Sequence, residues 1–229
     1  MDLTINGTSL SSLGVIVETQ TQFKKPAKRV NRSFVEGVHG SKTQDYGYDG
    51  YTLQYKITPT VSTYFNQIFA LLDGEVILEA SDDPGKFWYA RVDEEVAYDA
   101  IALWKTTIIE FYVYDPFRYV KNDVVTTVTT FPATINNPGT AESNPLLKIT
   151  GSGTVNLTLN GVTFEYTFDT PYVYIDCIKG PTRRCYHESV TKTRKKSGGW
   201  PTLAPGNNTL TVNSGTVTEV VVTKRTRYL

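Results

Sequence analysis

The chain has 229 residues, 40% apolar and 20% charged, enough for a core in one large domain or two ordinary ones and too little charge for a disordered polyelectrolyte. Its 23 Lys and Arg balance 23 Asp and Glu, which argues against a nucleic-acid binder with a basic excess. No apolar run approaches the roughly 18 residues of a membrane span, and Met1-Asp2-Leu3-Thr4 has neither the basic nor the apolar region of a secretory leader, so a soluble protein made in the cytoplasm is expected.

Leu3 to Leu10 alternates and is broken by Asn6-Gly7, a strong hairpin signal, and Gly14 to Glu18 reads as a second strand. The next segment, about residues 20 to 50, changes character. Lys24, Lys25, Lys28, Arg29 and Arg32 form a basic stretch without an acid, Phe34 follows, and Gly37, Gly40, Gly47 and Gly50 come at close intervals. With alternation only weak there, the segment reads as an extended, exposed arm rather than a packed strand pair, suited to binding or assembly.

Tyr51 to Pro59 is a clean period-2 strand. Ser62 is placed to cap a helix over 63–72, whose Tyr64, Phe65, Ile68, Phe69, Leu71 and Leu72 form one stripe before Asp73-Gly74 ends it. Strands are expected at Glu75 to Glu79, Phe87 to Val92 and Ile101 to Tyr114, with a turn at Asp82-Asp83-Pro84-Gly85. The Thr/Val tract at 124–130 marks a boundary, giving domains 1–132 and 133–229, and Asn136-Asn137-Pro138-Gly139 punctuates a loop. Short strands then recur at 146–150, 154–159, 162–168, 172–178, 184–190, 209–212 and 216–223, with a hairpin turn at Asn160-Gly161. One helix among many strands is a mainly-β class, and the second half has the spacing of a β-sandwich.

Candidate chemistry is sparse. Two Cys, one Met and two His leave little for metal or redox work, and neither a metal nor a cofactor is expected. Cys185 and His187 lie two apart on a strand and are the single nucleophile-and-base hint; without a converging carboxylate they read as ordinary strand residues. A hairpin turning about Pro181 sets Cys177 opposite Cys185, about 4.5 to 5.5 Å apart, but without a secretion signal reduced thiols are expected. Asp93, Glu94, Glu95 and Asp99 lack the spacing of a calcium loop and read as a solvated or interface face.

Charge placement says more than its sum. Nine acids from Asp73 to Asp99 face Lys86 and Arg91 alone, whereas Lys179, Arg183, Arg184, Lys192, Arg194, Lys195 and Lys196 face only Glu188. Unlike patches on one protomer suit a head-to-tail contact, which closes into a ring when the rotation permits. Trp88, Tyr89, Trp104 and the tyrosines read mostly as core. Trp200, between Ser197-Gly198-Gly199 and Pro201, is the candidate exposed aromatic, the residue a sugar-binding sandwich would use.

The order of motifs carries a resemblance. Ile5-Asn6-Gly7 with Leu10 and Gly14-Val15 opens the chain, and the helix ending at Asp73-Gly74 precedes Asp82-Asp83-Pro84-Gly85-Lys86-Phe87-Trp88-Tyr89. Phe111 to Tyr119 (FYVYDPFRY), Asn137 to Pro145 (NPGTAESNP), Lys148 to Gly153, Ile175-Asp176, Trp200 to Asn208 (WPTLAPGNN) and the final Arg227-Tyr228-Leu229 follow. This ordered set, over nearly the whole chain, resembles the distal tail (Dit) proteins of long, non-contractile-tailed phages infecting Gram-positive bacteria.

The resemblance implies a structural, non-enzymatic virion protein made in the host cytoplasm. It would have an N-terminal β-domain with one helix and an arm or belt, then a C-terminal galectin-like β-sandwich. Six copies would form a ring at the tail tip. Its partners would be the tail-tube protein, the tail-associated (Tal) hub protein and receptor-binding proteins, with no membrane and no specific nucleic acid. A sugar-binding sandwich and a tail-tube subunit are the alternatives.

Overall fold

The structure is a computed structural model that describes residues 1–20, 24–96 and 106–229. Chain contacts divide it into two compact units, Met1–Arg118 with Leu229, and Tyr119–Tyr228.

In the first unit the strands are β1 (Leu3–Ile5), β2 (Thr8–Ser9), β3 (Val15–Gln20), β4 (Lys28–Ser33), β5 (Lys42–Tyr48), β6 (Tyr51–Pro59), β7 (Glu75–Ala80), β8 (Lys86–Arg91) and β9 (Thr107–Val113). The expected strand at 101–114 is described only from residue 106. Seven of them form an antiparallel sheet in the order β2-β1-β7-β8-β9-β6-β3. Asn6 and Gly7 adopt φ of 49° and 84°, the left-handed pair that a tight β1–β2 hairpin requires. Alternation sends Leu53, Tyr55 and Ile57 of β6, Trp88 and Ala90 of β8, and Ile109, Phe111 and Val113 of β9 into one core.

Helix α1 (Phe65–Leu72) adds Ile68 and Leu72 to that core. It differs from expectation at its start and on one face. Ser62 makes no capping bond, because Ser62–Tyr64 forms a 3₁₀ turn and the α-helix begins only at Phe65. Phe69 is not on the buried stripe; one position on from Ile68, it turns outward.

The arm is the larger correction. β4 and β5 pair with each other, Arg32 opposite Thr43 and Ser33 opposite Lys42, as a separate two-stranded ribbon. The exposure expected from sequence is there, since every residue of both strands except Tyr48 is exposed. The extended, unpaired conformation is not. Paired backbone satisfies its own hydrogen bonds, which lets a ribbon project without a buried face.

Strand β10 (Arg118–Val120) runs across the division, and the second unit contains β11 (Thr126–Val128), β12 (Ala133–Asn137), β13 (Leu146–Leu159), β14 (Val162–Thr167), β15 (Tyr172–Asp176), β16 (Arg184–His187), β17 (Val190–Thr191), β18 (Lys196–Gly198), β19 (Gly206–Thr223) and β20 (Arg227–Tyr228). The Thr/Val tract read as a boundary supplies β11, which pairs with β19, and the Asn136-Asn137 loop is the end of β12. The expected strand pairs 146–150 with 154–159, and 209–212 with 216–223, are the single long strands β13 and β19. Their mutual register shifts at Thr150/Gly151 and again by Asn156. Gly215 sits at this break with φ 87°, where a Cβ would also strike the Thr154 carbonyl, so only glycine fits.

Beyond the break the two strands change partners. The first half of β13 pairs with β15 and the second with β14, while β19 pairs with β12 and then β11. Leu147 and Ile149 from one half and Val155, Leu157 and Leu159 from the other meet in one core. The bent sheet thus folds over one core, and the class is mainly β with a sandwich-like second unit.

Candidate assembly site

The hairpin β4–β5 carries Lys28, Arg29, Arg32 and Phe34 of the sequence-predicted arm residues, while Lys24 and Lys25 precede it and line a cavity with Tyr51 and Trp88. Lys24 Nζ donates to the Thr52 carbonyl at 3.0 Å. Lys28 pairs with Asp45 at 3.0 Å and lies over the Tyr48 ring, and Arg29 pairs with Asp49 at 3.3 Å. Asp45 sits on the opposite strand and Asp49 just past its end, so a stretch that looks purely basic along the chain is partly neutralised across the ribbon. Such exposed pairs are screened by water and hold the hairpin only loosely. The tip is different: Phe34 is 80% exposed, Val35 46% and Val38 63%. Clustered apolar groups in water mark a contact surface. Arg32 and Lys42 flank the tip, both exposed.

Of the predicted acidic group, Asp93 pairs with Arg91 at 2.6 Å. Glu94 and Glu95 line a cavity of about 300 Å³ with Val96, Ile108 and Glu110. Asp99 lies outside the described residues. Among the described residues no group of three or more His, Cys, Asp or Glu is placed to hold a metal.

The predicted basic group is on the second unit and only partly free for intermolecular use. Arg183 lies 5.4 Å and Lys196 4.2 Å from the centre of the Trp200 ring. Lys196 Nζ also donates to the carbonyls of Ser197, Gly198 and Gly199. Trp200 is therefore not the exposed aromatic expected: half-buried on the core and roofed by two cations, it offers no bare ring. Burial pushes the Lys196 ammonium below its ordinary value, although the buried Cys185 and Cys177 pull the other way. Lys195 stands 3.9 Å from Asp169, and Arg194 is exposed. Arg184 stacks on Tyr186 at 4.9 Å.

That stack continues. Tyr186 lies parallel to Tyr174 at 5.1 Å, Tyr174 meets Tyr172 edge-on at 5.7 Å, and Lys148 covers Tyr172 at 4.7 Å. The sequence reading placed the tyrosines in the core; these three are half-buried on the outward side of β15 and β16, alternating with the buried Val173, Ile175 and Cys185. Their ring faces are taken by one another and by cations, so they do not form a platform for a sugar.

The Cys185–His187 hint also dissolves. His187 Nδ1 is 3.0 Å from the Tyr172 carbonyl, and its ring packs on Tyr172. Cys185 is fully buried, and burial pushes its thiol up to about 12. Nor do the cysteines oppose each other, because Cys185 pairs with Ile175 and the register puts the turn nearer Gly180 than Pro181. Both are free thiols. Cys177 is likewise driven to about 12 by burial, so thiolate is scarce at pH 8. Ellman's reagent is expected to label neither cysteine in the native protein and both after unfolding; rapid native labelling would contradict the buried placement.

Two buried asparagines were missed, because Asn in a Pro/Gly-rich stretch reads as loop. Asn137 donates to the carbonyls of Ala141 and Leu203 and accepts from Gly139 N–H. Asn208 donates to the carbonyls of Ile135, Ala204 and Gly206 and accepts from Ala204 N–H. Their NPG and GNN contexts were legible, but which carbonyls they satisfy was not.

Among solved structures, the Dit protein (gp 19.1) of phage SPP1, described as a paradigm of the hub adsorption apparatus in phages infecting Gram-positive bacteria, matches with a TM-score of 0.76 and 18% identity over 100% of this chain and 99% of that one. The phage p2 baseplate in its activated conformation matches at 0.53 with calcium and 0.50 with strontium, each at 9% identity, over 96% and 97% of this chain and 97% and 98% of those chains. No protein-family model and no curated protein sequence matches. The chain thus has the Dit fold from end to end.

Proposed function

We propose that this chain is a Dit-type hub subunit of a phage tail tip: a virion protein, assembled from chains made in the host cytoplasm, that works as a homo-hexameric ring. The ring joins the tail-tube protein to the Tal hub and to receptor-binding proteins, and it needs no catalysis. The observation that carries this reading is the fold likeness to SPP1 Dit over the full length of both chains. The exposed hairpin supports it further, since a ribbon with an apolar tip has a use in an assembly and is a liability in a monomer. The unlike-charged groups, Asp93, Glu94 and Glu95 on the first unit and Arg183, Arg184, Arg194, Lys195 and Lys196 on the second, would steer neighbouring copies into register.

Mass measurement in solution followed by low-resolution imaging tests the reading. A sixfold ring with a central opening is expected, and deletion of residues 22–46 is expected to leave a folded protomer that no longer assembles. A monomer that binds glycans on an array would favour the sugar-binding alternative, and long stacked tubes a tail-tube subunit.

A further inference from the structure

We propose that the hairpin tip of one copy seats in the acidic cavity beside Ile108 of the next, making Phe34 the anchor of the contact between subunits. This rests on the ring-forming reading and names the acceptor that the arm uses. The tip offers Phe34, Val35 and Val38, exposed by 80%, 46% and 63%, between the exposed cations Arg32 and Lys42. The cavity, of about 300 Å³, is lined by Val96 and Ile108 and carries the carboxylates of Glu94, Glu95 and Glu110. Ile108 is itself 55% exposed, although it lies on a strand of the central sheet.

The match has two independent parts. Apolar groups stand in water on both surfaces; three carboxylates border the cavity, while Arg32 and Lys42 flank the tip, whose turn holds one exposed acid, Glu36. Glu110 is held by Gln54, which fixes one wall, while Glu94 and Glu95 have no ion pair or hydrogen bond among the described residues and are available to a cation. The volume accommodates a benzyl group with room for a neighbouring side chain. Phe34 is not seated in the cavity of its own chain, as its exposure requires, and the ribbon bearing it is exposed along both strands except at Tyr48, which meets Phe117 edge-on at 5.8 Å. A tip and an acceptor on different parts of one protomer make a head-to-tail contact, the kind that closes into rings. A buried aromatic with flanking cations is also the usual composition of an interface anchor.

The test uses the full chain and charge reversal with rescue, read by sedimentation and mass photometry over a concentration series. All altered residues are exposed, so near-UV circular dichroism and melting temperature should match the parent. Phe34→Ala is expected to weaken association about tenfold or more. Arg32→Glu with Lys42→Glu, and separately Glu94→Lys with Glu95→Lys, should each weaken it comparably, and the four changes together should recover most of the loss. Rings that form normally with Phe34→Ala, or reversals that do not rescue each other, overturn the seating while leaving the ring intact. A parent protein that stays monomeric at every concentration instead overturns the ring reading on which the seating depends. Variants that form rings but no longer capture a separate tail protein would assign the tip to that protein and end the proposal.

Discussion

Trp88→Ala is expected to cost the first unit about 3–5 kcal/mol, the range for deleting a large aromatic from a packed core. Trp88 is 1% exposed on β8 and shares its core with Tyr55 and Phe111, which pack edge-to-face. Its indole N–H donates to the Tyr51 hydroxyl at 3.0 Å. The substitution therefore opens a cavity and strips a half-buried hydroxyl of its donor. Trp88→Phe separates the two effects, because it keeps most of the apolar contact and should cost only about 1–2 kcal/mol. Hydrogen exchange followed through urea is the measurement: protection on β8 and β9 should fall for Trp88→Ala, while the second unit, whose core contains none of these residues, should keep its own. Equal costs for Ala and Phe would mean that the hydrogen bond, not the volume, is what matters there.

The second large effect is expected at Arg225→Met. Arg225 grips Asp176 with both guanidinium arms, at 2.6 and 3.0 Å, and Ile178 N–H donates to the same carboxylate at 3.2 Å. The two side chains are 25% and 15% exposed, so removing one leaves a charge largely out of water. The cost should be about 2–3 kcal/mol, somewhat below that of a wholly buried pair. Burial by itself would raise the Asp176 carboxyl, but the Arg225 fork and the Ile178 amide outweigh it and hold the group below its ordinary 3.8.

A carboxyl lowered in the folded state binds its proton later than in the unfolded chain. Its stabilisation is therefore complete above about pH 4 and fades as pH falls through the folded value. The gap in unfolding free energy between parent and Arg225→Met should be constant near neutral pH and shrink on acidification, beginning above pH 4 because burial without the Arg225 fork raises the Asp176 carboxyl in the variant. A gap that widened on acidification would reverse the assigned sign.

How much could be read beforehand differs by element, for physical reasons. The hairpin turns at Asn6-Gly7 and Asn160-Gly161 were legible because a positive φ at two successive residues leaves few sequence choices. Tyr51–Pro59 was placed to the residue because strict alternation and a terminal Pro define a strand locally. The arm was found by its lack of a buried face, yet its pairing escaped, since Lys28 meets Asp45 and Arg29 meets Asp49 only across the ribbon. Cys177 and Cys185 were misaligned because a small shift in the centre of a turn moves every opposing pair. Likewise Arg184 to Val190, read as one strand, is β16 and β17 folded about Glu188 at φ 51°, a conformation its residue type does not announce.

Residue order alone determined the mainly-β class, the helix ending at Leu72, the exposed segment and, through an ordered set of motifs, the likeness to the Dit fold. Those features rest on periodicity and turn chemistry, which act between near neighbours. Only the tertiary structure decided that Trp200 is roofed by Arg183 and Lys196, that three tyrosines stack outward rather than inward, and that an exposed Ile108 shares a cavity with Glu94 and Glu95. Each of these depends on which strands lie side by side and in what register. Strand pairing is settled by long-range burial, so side chains far apart along the chain acquire their neighbours only when the sheets close.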